Sequence, residues 1–186
     1  MRNILILIVM MASVFVAEGC TITHKFGPFC GKVVDAESGK PIEGAVVAVW
    51  FSTKRPSMGG MVWRVADAVE TLTDANGEFR ISPHRINLFR LMAWWESDCQ
   101  VSIFKPGYGA YPGNSKTYSS LKNYRYLYLP ENKYTRFFLP RLLSLEERKE
   151  NLSDIEEPVG IDFEKIPHLR KFESEERYKV GLQPYQ

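Results

Sequence analysis

The chain has little cysteine and little histidine, three of each in 186 residues. His24, His84 and His168 stand apart, and none has a His or Glu partner three or four residues on. The spacing that a helical zinc peptidase needs is therefore missing, and no metal site is expected. There is no Gly-x-Ser-x-Gly elbow and no Gly-rich phosphate loop, and neither Cys30 nor Cys99 has a neighbouring histidine to activate it. No cofactor and no enzymatic activity are expected on these grounds. Charge of one sign is lacking too, since 24 Lys and Arg against 22 Asp and Glu leave a net charge of +2. Phosphate binding wants a concentrated basic face, so nucleic acid is not an expected partner. With 45% hydrophobic and 25% charged residues, the chain has the composition of one globular domain with a real core.

Only one long uncharged run occurs. Met1-Arg2-Asn3 is a short positive start, and Ile4 to Ala17 follows without a charge until Glu18. A bilayer-spanning helix wants roughly 20 apolar residues, so this run has the length of a signal-peptide core and residues 1–19 are set aside from the fold. The sequence then reads Ala17-Glu18-Gly19-Cys20, which resembles the lipobox of bacterial lipoproteins, with Glu18 a departure from its preference for small or apolar residues. The resemblance implies that Cys20 is lipidated, becomes the mature N-terminus and makes the membrane a partner through an acyl anchor. Thr21 after the cysteine resembles lipoproteins released to the outer membrane, facing the periplasm. Ala17 and Gly19 also fit an ordinary small-x-small cleavage site, which implies a secreted or soluble periplasmic protein instead.

With Cys20 assigned to lipid, Cys30 and Cys99 form an even pair in a compartment that permits disulfides. Alternation along each strand sets Cys30 opposite in phase to the apolar Val33, whereas Cys99 shares the phase of Val101 and Ile103. A bridge and two separate thiols both stand open.

From Phe29 onward, short β-favouring runs alternate with turn residues. Phe29 to Asp35 precedes the turn cluster Ala36 to Pro41, and a β-branched run, AVVAVWF, follows. A polar loop around Arg55 to Gly60 leads to a strand over Ala66 to Thr73, which Asp74-Ala75-Asn76-Gly77 turns into Glu78 to Ser82. Further strands are expected at Gln100 to Phe104, Tyr124 to Leu129 and Tyr134 to Leu139. Many short strands with this punctuation predict an antiparallel β-sandwich or barrel. In order, the strings GKVVDAESGKPIEGAVVAVW, ETLTDANGEFRIS and VSIFKPGYG resemble the carboxypeptidase regulatory-like domain. That resemblance implies an all-β, Greek-key sandwich of the transthyretin type. It also implies a non-catalytic module, which in the metallocarboxypeptidases sits beside the catalytic domain.

The remaining candidates are weaker. The oxygen-rich Asp74 to Glu78 reads as a hairpin turn rather than a calcium loop, because Leu72 stands where a ligand would be needed. In the insert Pro83 to Asp98, Leu88, Leu91, Met92 and Trp95 match helical spacing and predict a short helix capping one end of the core. Trp94, Trp95, Tyr108 and Tyr111 are the candidate binding surface, with Tyr118, Tyr124, Tyr126 and Tyr128 as further rings. Aromatic platforms suit sugars as well as peptides, and an exposed pair that includes Trp63 would favour a glycan. Residues 141–186 hold eight basic and eleven acidic residues. Ser144 to Glu147 has capping-box spacing, so a helix is expected from Leu145 to about Asn151 and a second from His168 to Val180, in a lightly packed, solvated extension.

The sequence thus divides into a signal peptide (1–19), a linker after the lipidated cysteine (20–28), the β-sandwich (29–140) and a charged C-terminal extension (141–186). The expected function is an envelope protein whose sandwich serves a structural or protein-interaction role. The alternative is a carbohydrate-binding module that uses exposed Trp and Tyr. An envelope protein or a glycan is the expected partner besides the membrane.

Overall fold

A computed structural model of the chain describes residues 20–121 and 128–184. Among them are eleven strands: β1 (Cys20–Phe26), β2 (Phe29–Asp35), β3 (Val46–Ser57), β4 (Gly60–Leu72), β5 (Glu78–Ile81), β6 (His84–Leu91), β7 (Trp94–Trp95), β8 (Cys99–Phe104), β9 (Tyr118–Ser119), β10 (Tyr128–Leu129) and β11 (Tyr134–Leu139). Helices α1 (Leu145–Ser153) and α2 (Pro167–Lys179) follow, with a 3-10 turn at Phe163–Lys165 between them.

The protein is an all-β sandwich. One sheet has the order β10-β8-β3-β4, with β7 also paired to β3, and the other runs β5-β2-β11-β9. A two-stranded ribbon, β1-β6, lies beside them. The pairings are antiparallel except that β11 runs parallel to β2. Period-two alternation sends Phe29, Val33, Phe79, Phe137 and Leu139 inward from one sheet, to meet Val47, Val49, Phe51, Val101 and Ile103 from the other. Two glycines allow this closure. A Cβ on Gly31 would collide with the Thr135 carbonyl oxygen of the neighbouring parallel strand, and Gly77 turns the β4–β5 connection at φ +71°. Asp74 fixes that turn, its Oδ1 accepting from the N–H groups of Asn76 at 2.9 Å and Glu78 at 2.8 Å.

Several expectations change. The segment 20–28 begins with strand β1 rather than a free linker, and Cys20 pairs with Leu91 of β6. The polar loop at Arg55–Gly60 is the tip of a long β3–β4 hairpin, in which Ser57 faces Gly60. The insert Pro83–Asp98 forms strands, not a helix, because Ile86 and Leu88 turn inward at strand spacing and β1 supplies the pairing partner. It does cap the core, with Ile86 buried and Leu88 and Trp95 packed against the same cluster. Of the expected strand at Tyr124 to Leu129, only Tyr128–Leu129 lies within the described residues, and Tyr124 and Tyr126 lie outside them. Cys30 and Cys99 are free thiols. They sit on strands of different sheets, Cys30 in the phase opposite to the inward Val33 and Cys99 buried in the core, so their side chains diverge.

The largest difference is the C-terminal extension. Strand β3 is buried on both faces from Val46 to Thr53, and its outer residues Val46, Ala48 and Trp50 need a cover. Ile166 and Leu169 supply it, fully buried against them together with Phe104 and Ala110. The Glu70 carboxylate of β4 caps α2, accepting from the backbone N–H groups of His168 at 2.6 Å and Leu169 at 3.1 Å. Helix α1 begins at Ser144 with the expected capping box. Its Asn151 is wholly buried, accepting from the Ala110 N–H at 2.8 Å and donating to the Tyr108 carbonyl at 3.1 Å. The extension is thus a third layer rather than a lightly packed tail.

Candidate functional site

The extension covers only half of the outer face of the β3 sheet. Beyond Trp50, the outward positions of β3 are Ser52 and Lys54, and the strands on either side place a tryptophan directly opposite Lys54. Trp63 of β4 and Trp94 of β7 are both in register with it. Directly opposed residues in antiparallel pairs point to the same face. The three side chains therefore form a row, with the two indole positions about 10 Å apart across two strand spacings. Both tryptophans are exposed, Trp63 at 59% and Trp94 at 47%. Glu96, two residues after Trp94, joins the row. Its Oε1 accepts from Lys54 Nζ at 3.1 Å and its Oε2 from the Trp63 indole N–H at 2.9 Å. Burial raises the Glu96 carboxyl, but these two donors outweigh it and hold the group below its ordinary range.

Between this row and the C-terminal layer lies a cleft of about 600 Å³, lined by Trp50, Trp63, Arg64, Gln100, Glu156 and Glu157 among others. The Trp50 indole N–H donates to Gln100 Oε1 at 2.6 Å, which fixes the floor. A second recess of about 180 Å³ continues past Trp63 to Glu96, Asp98 and Tyr128. Flat rings beside carboxylates and amides can stack on the apolar face of a sugar and hydrogen-bond its hydroxyls.

A second polar cluster joins the layers. His84 Nε2 lies 2.8 Å from Asp67 Oδ2, and Lys165 pairs with the other oxygen of Asp67. Burial raises the Asp67 carboxyl, but Lys165 and His84 together lower it further. The His84 ring stacks on Phe51, with centroids 5.4 Å apart. This arrangement ties β6, β4 and the 3-10 turn together. At the other end of the sandwich, Arg141 Nε donates to Asp35 Oδ2 at 2.8 Å and to the Tyr108 hydroxyl at 3.1 Å. Among the described residues, no three His, Cys, Asp or Glu side chains gather as a metal-binding group.

The four residues expected to form one binding surface are separated. Trp94 is exposed on the row. Trp95, one residue on, points to the other face and packs against Phe26, with centroids 5.4 Å apart. Tyr111 is 1% exposed and meets Phe137 edge-on in the core. Tyr108 belongs to the Asp35–Arg141 cluster at the opposite end. Lys54, Glu96, Arg64 and Gln100 were not singled out from the sequence. The available signal was the Ser57 to Gly60 turn, whose tip at Met58-Gly59 makes Lys54 and Trp63 partners by equal distance from it. No known protein family, curated protein or solved structure matches the chain.

Proposed function

We propose that the chain is an exported cell-envelope protein anchored by acyl chains on Cys20, whose non-catalytic sandwich acts as a structural or protein-interaction module. In this reading the sandwich is a carboxypeptidase regulatory-like domain held at the outer membrane, facing the periplasm. The observation that carries it is the junction at Cys20. An Arg-led uncharged run from Ile4 to Ala17 is followed by Glu18, Gly19 and then this cysteine, which itself pairs in strand β1. The test is labelling of the protein with an alkyne-tagged fatty acid in a bacterial expression host. Wild-type chain is expected to incorporate the label and Cys20→Ser to lack it, whereas an unlabelled wild-type chain contradicts the anchor.

A second reading, a carbohydrate-binding module, is favoured by the exposed Trp63 and Trp94 flanking Lys54 beside the cleft. Its test is co-sedimentation with insoluble cell-wall glycan. Trp63→Ala is expected to weaken binding by about tenfold, in line with loss of one stacking contact plus its buried area. Unchanged retention removes this reading.

A further inference from the structure

The near balance of charge in the whole chain conceals an uneven distribution. Three sequence segments, Cys20–Pro28, Ser52–Ala66 and Pro83–Trp95, contain six Lys and Arg and no Asp or Glu. The fold sets Lys54, Arg55, Arg64 and Arg90 at the hairpin end, with Lys54 paired to Glu96, while Lys25 and Arg85 pair at the far end of the ribbon. β1 pairs with β6 along its length, β7 pairs with β3 at Lys54, and the β3–β4 hairpin projects beyond them. Arg90 of β6 fastens the ribbon to the hairpin, its Nη1 donating to Thr53 Oγ1 at 2.7 Å and its Nη2 to the Val65 carbonyl at 3.0 Å. Arg55, Arg64 and Arg90 converge around a small recess of about 180 Å³. The same end carries exposed carbon: Met58 at the hairpin tip is fully exposed, and Met61, Phe89, Met92 and Trp94 are all at least 40% exposed.

We propose that this end, made of β1, β6, β7 and the β3–β4 hairpin, is a seat for an anionic lipid surface. The cations meet the headgroups, and Met58, Met61, Phe89, Met92 and Trp94 enter the interface. The proposal rests on the reading of Cys20 as the lipidated residue. Cys20 pairs with Leu91, immediately before Met92, so an anchor at that residue leaves the domain at this end with no tether between. Interfacial binding scales with buried apolar area plus attraction to anionic lipid, and this end offers both. Phosphate-backbone binding would use the cations but leave the methionines and Phe89 without a role. With a directly attached anchor, the seat also fixes which face of the sandwich looks away from the membrane.

The experiment uses the full chain carrying Cys20→Ser, so that acyl chains contribute nothing, sedimented with vesicles of equal phosphatidylglycerol and phosphatidylethanolamine or of phosphatidylcholine alone. Arg55→Glu with Arg64→Glu is compared with a control of equal charge change at the far side, Lys40→Glu with Lys149→Glu. The apolar leader is common to both and drops out of the comparison. On anionic vesicles the first pair is expected to weaken partition by about tenfold or more, and the control is expected to change it little. On phosphatidylcholine the two should agree. Met58→Ser with Met92→Ser, which alters no charge, is expected to weaken partition on both vesicle types and guards against a folding artefact. Equal partition of the Arg55/Arg64 pair and the control on anionic vesicles overturns the seat. Binding to cell-wall glycan that the Arg55/Arg64 pair abolishes, with vesicle binding untouched, assigns this end to glycan and overturns it as well. The mass of the wild-type chain reports the anchor separately. Missing acyl mass with a preserved vesicle contrast removes the anchor and keeps the seat, and acyl mass without that contrast does the reverse.

Discussion

Arg148 of α1 and Glu176 of α2 meet through two hydrogen bonds of 2.6 Å, Nε to Oε1 and Nη2 to Oε2, with no surface of the Glu176 side chain exposed. The N–H of Gly107, in the loop after β8, also donates to Glu176 Oε1 at 3.3 Å. One carboxylate thus joins both helices to the sandwich. Arg148→Ala leaves that carboxylate buried without its counter-charge and is expected to destabilise the protein by about 3–5 kcal/mol. The double change Arg148→Met with Glu176→Leu should recover most of the loss, because the apolar pair needs no desolvation of charge. Urea denaturation of the three variants checks both statements.

Asp35 gives the fold a defined acid sensitivity. Burial raises its carboxyl, but hydrogen bonds from Ser38, Arg141 and the Glu37 N–H outweigh it and hold the group at about 2. A depressed carboxylate contributes stability that is fully present above its unfolded value, near 4, and is lost as pH falls through the folded one. Between about pH 4 and pH 2 the urea midpoint of wild type should therefore fall more steeply than that of Asp35→Asn. Parallel curves would contradict this role for Asp35.

The two thiols should differ in reactivity. Cys99 is buried in the core, and burial, followed by the charges of Glu131 and Asp98, pushes its thiol up. Cys30 is half-buried and free. In native conditions a maleimide is expected to label Cys30 much faster than Cys99, and in denaturant both should react without added reductant. A need for reductant would mean that the two are bridged.

Gly31→Ala tests the parallel pairing of β2 with β11. The added methyl meets the Thr135 carbonyl oxygen and the Phe79 ring, and a backbone atom on a core strand cannot give way. The cost should exceed the roughly 1–3 kcal/mol of ordinary overpacking. Loss of soluble yield and of the strand signal in circular dichroism is the expected readout.

Particular residues show what could be read in advance. The run AVVAVWF announced a strand, and Asn76-Gly77 announced the turn into Glu78 to Ile81, because both signals are local. The cover for Val46 and Trp50 was not legible, since it arrives from Ile166 and Leu169, more than a hundred residues away. Glu173 and Glu176 read as solvated charge because the groups that satisfy Glu176 lie on another helix and a distant loop. Leu88 and Trp95 fitted a helical period, yet the β1 partner decided for strand, and sequence spacing does not reveal a pairing partner. The Trp63–Lys54–Trp94 row depends on the register of three strands, which a spacing search along one chain does not see. The convergence of Arg55, Arg64 and Arg90 on one recess was hidden for the same reason.

The most direct measurement is the intact mass of the protein purified from a bacterial membrane fraction, beside its Cys20→Ser variant. The expected result is a chain lacking residues 1–19 and carrying acyl chains, with the acyl mass absent from the variant. An unmodified mature chain that is soluble in both cases would contradict the anchor, and the sandwich would then be a free module of the secreted or periplasmic space.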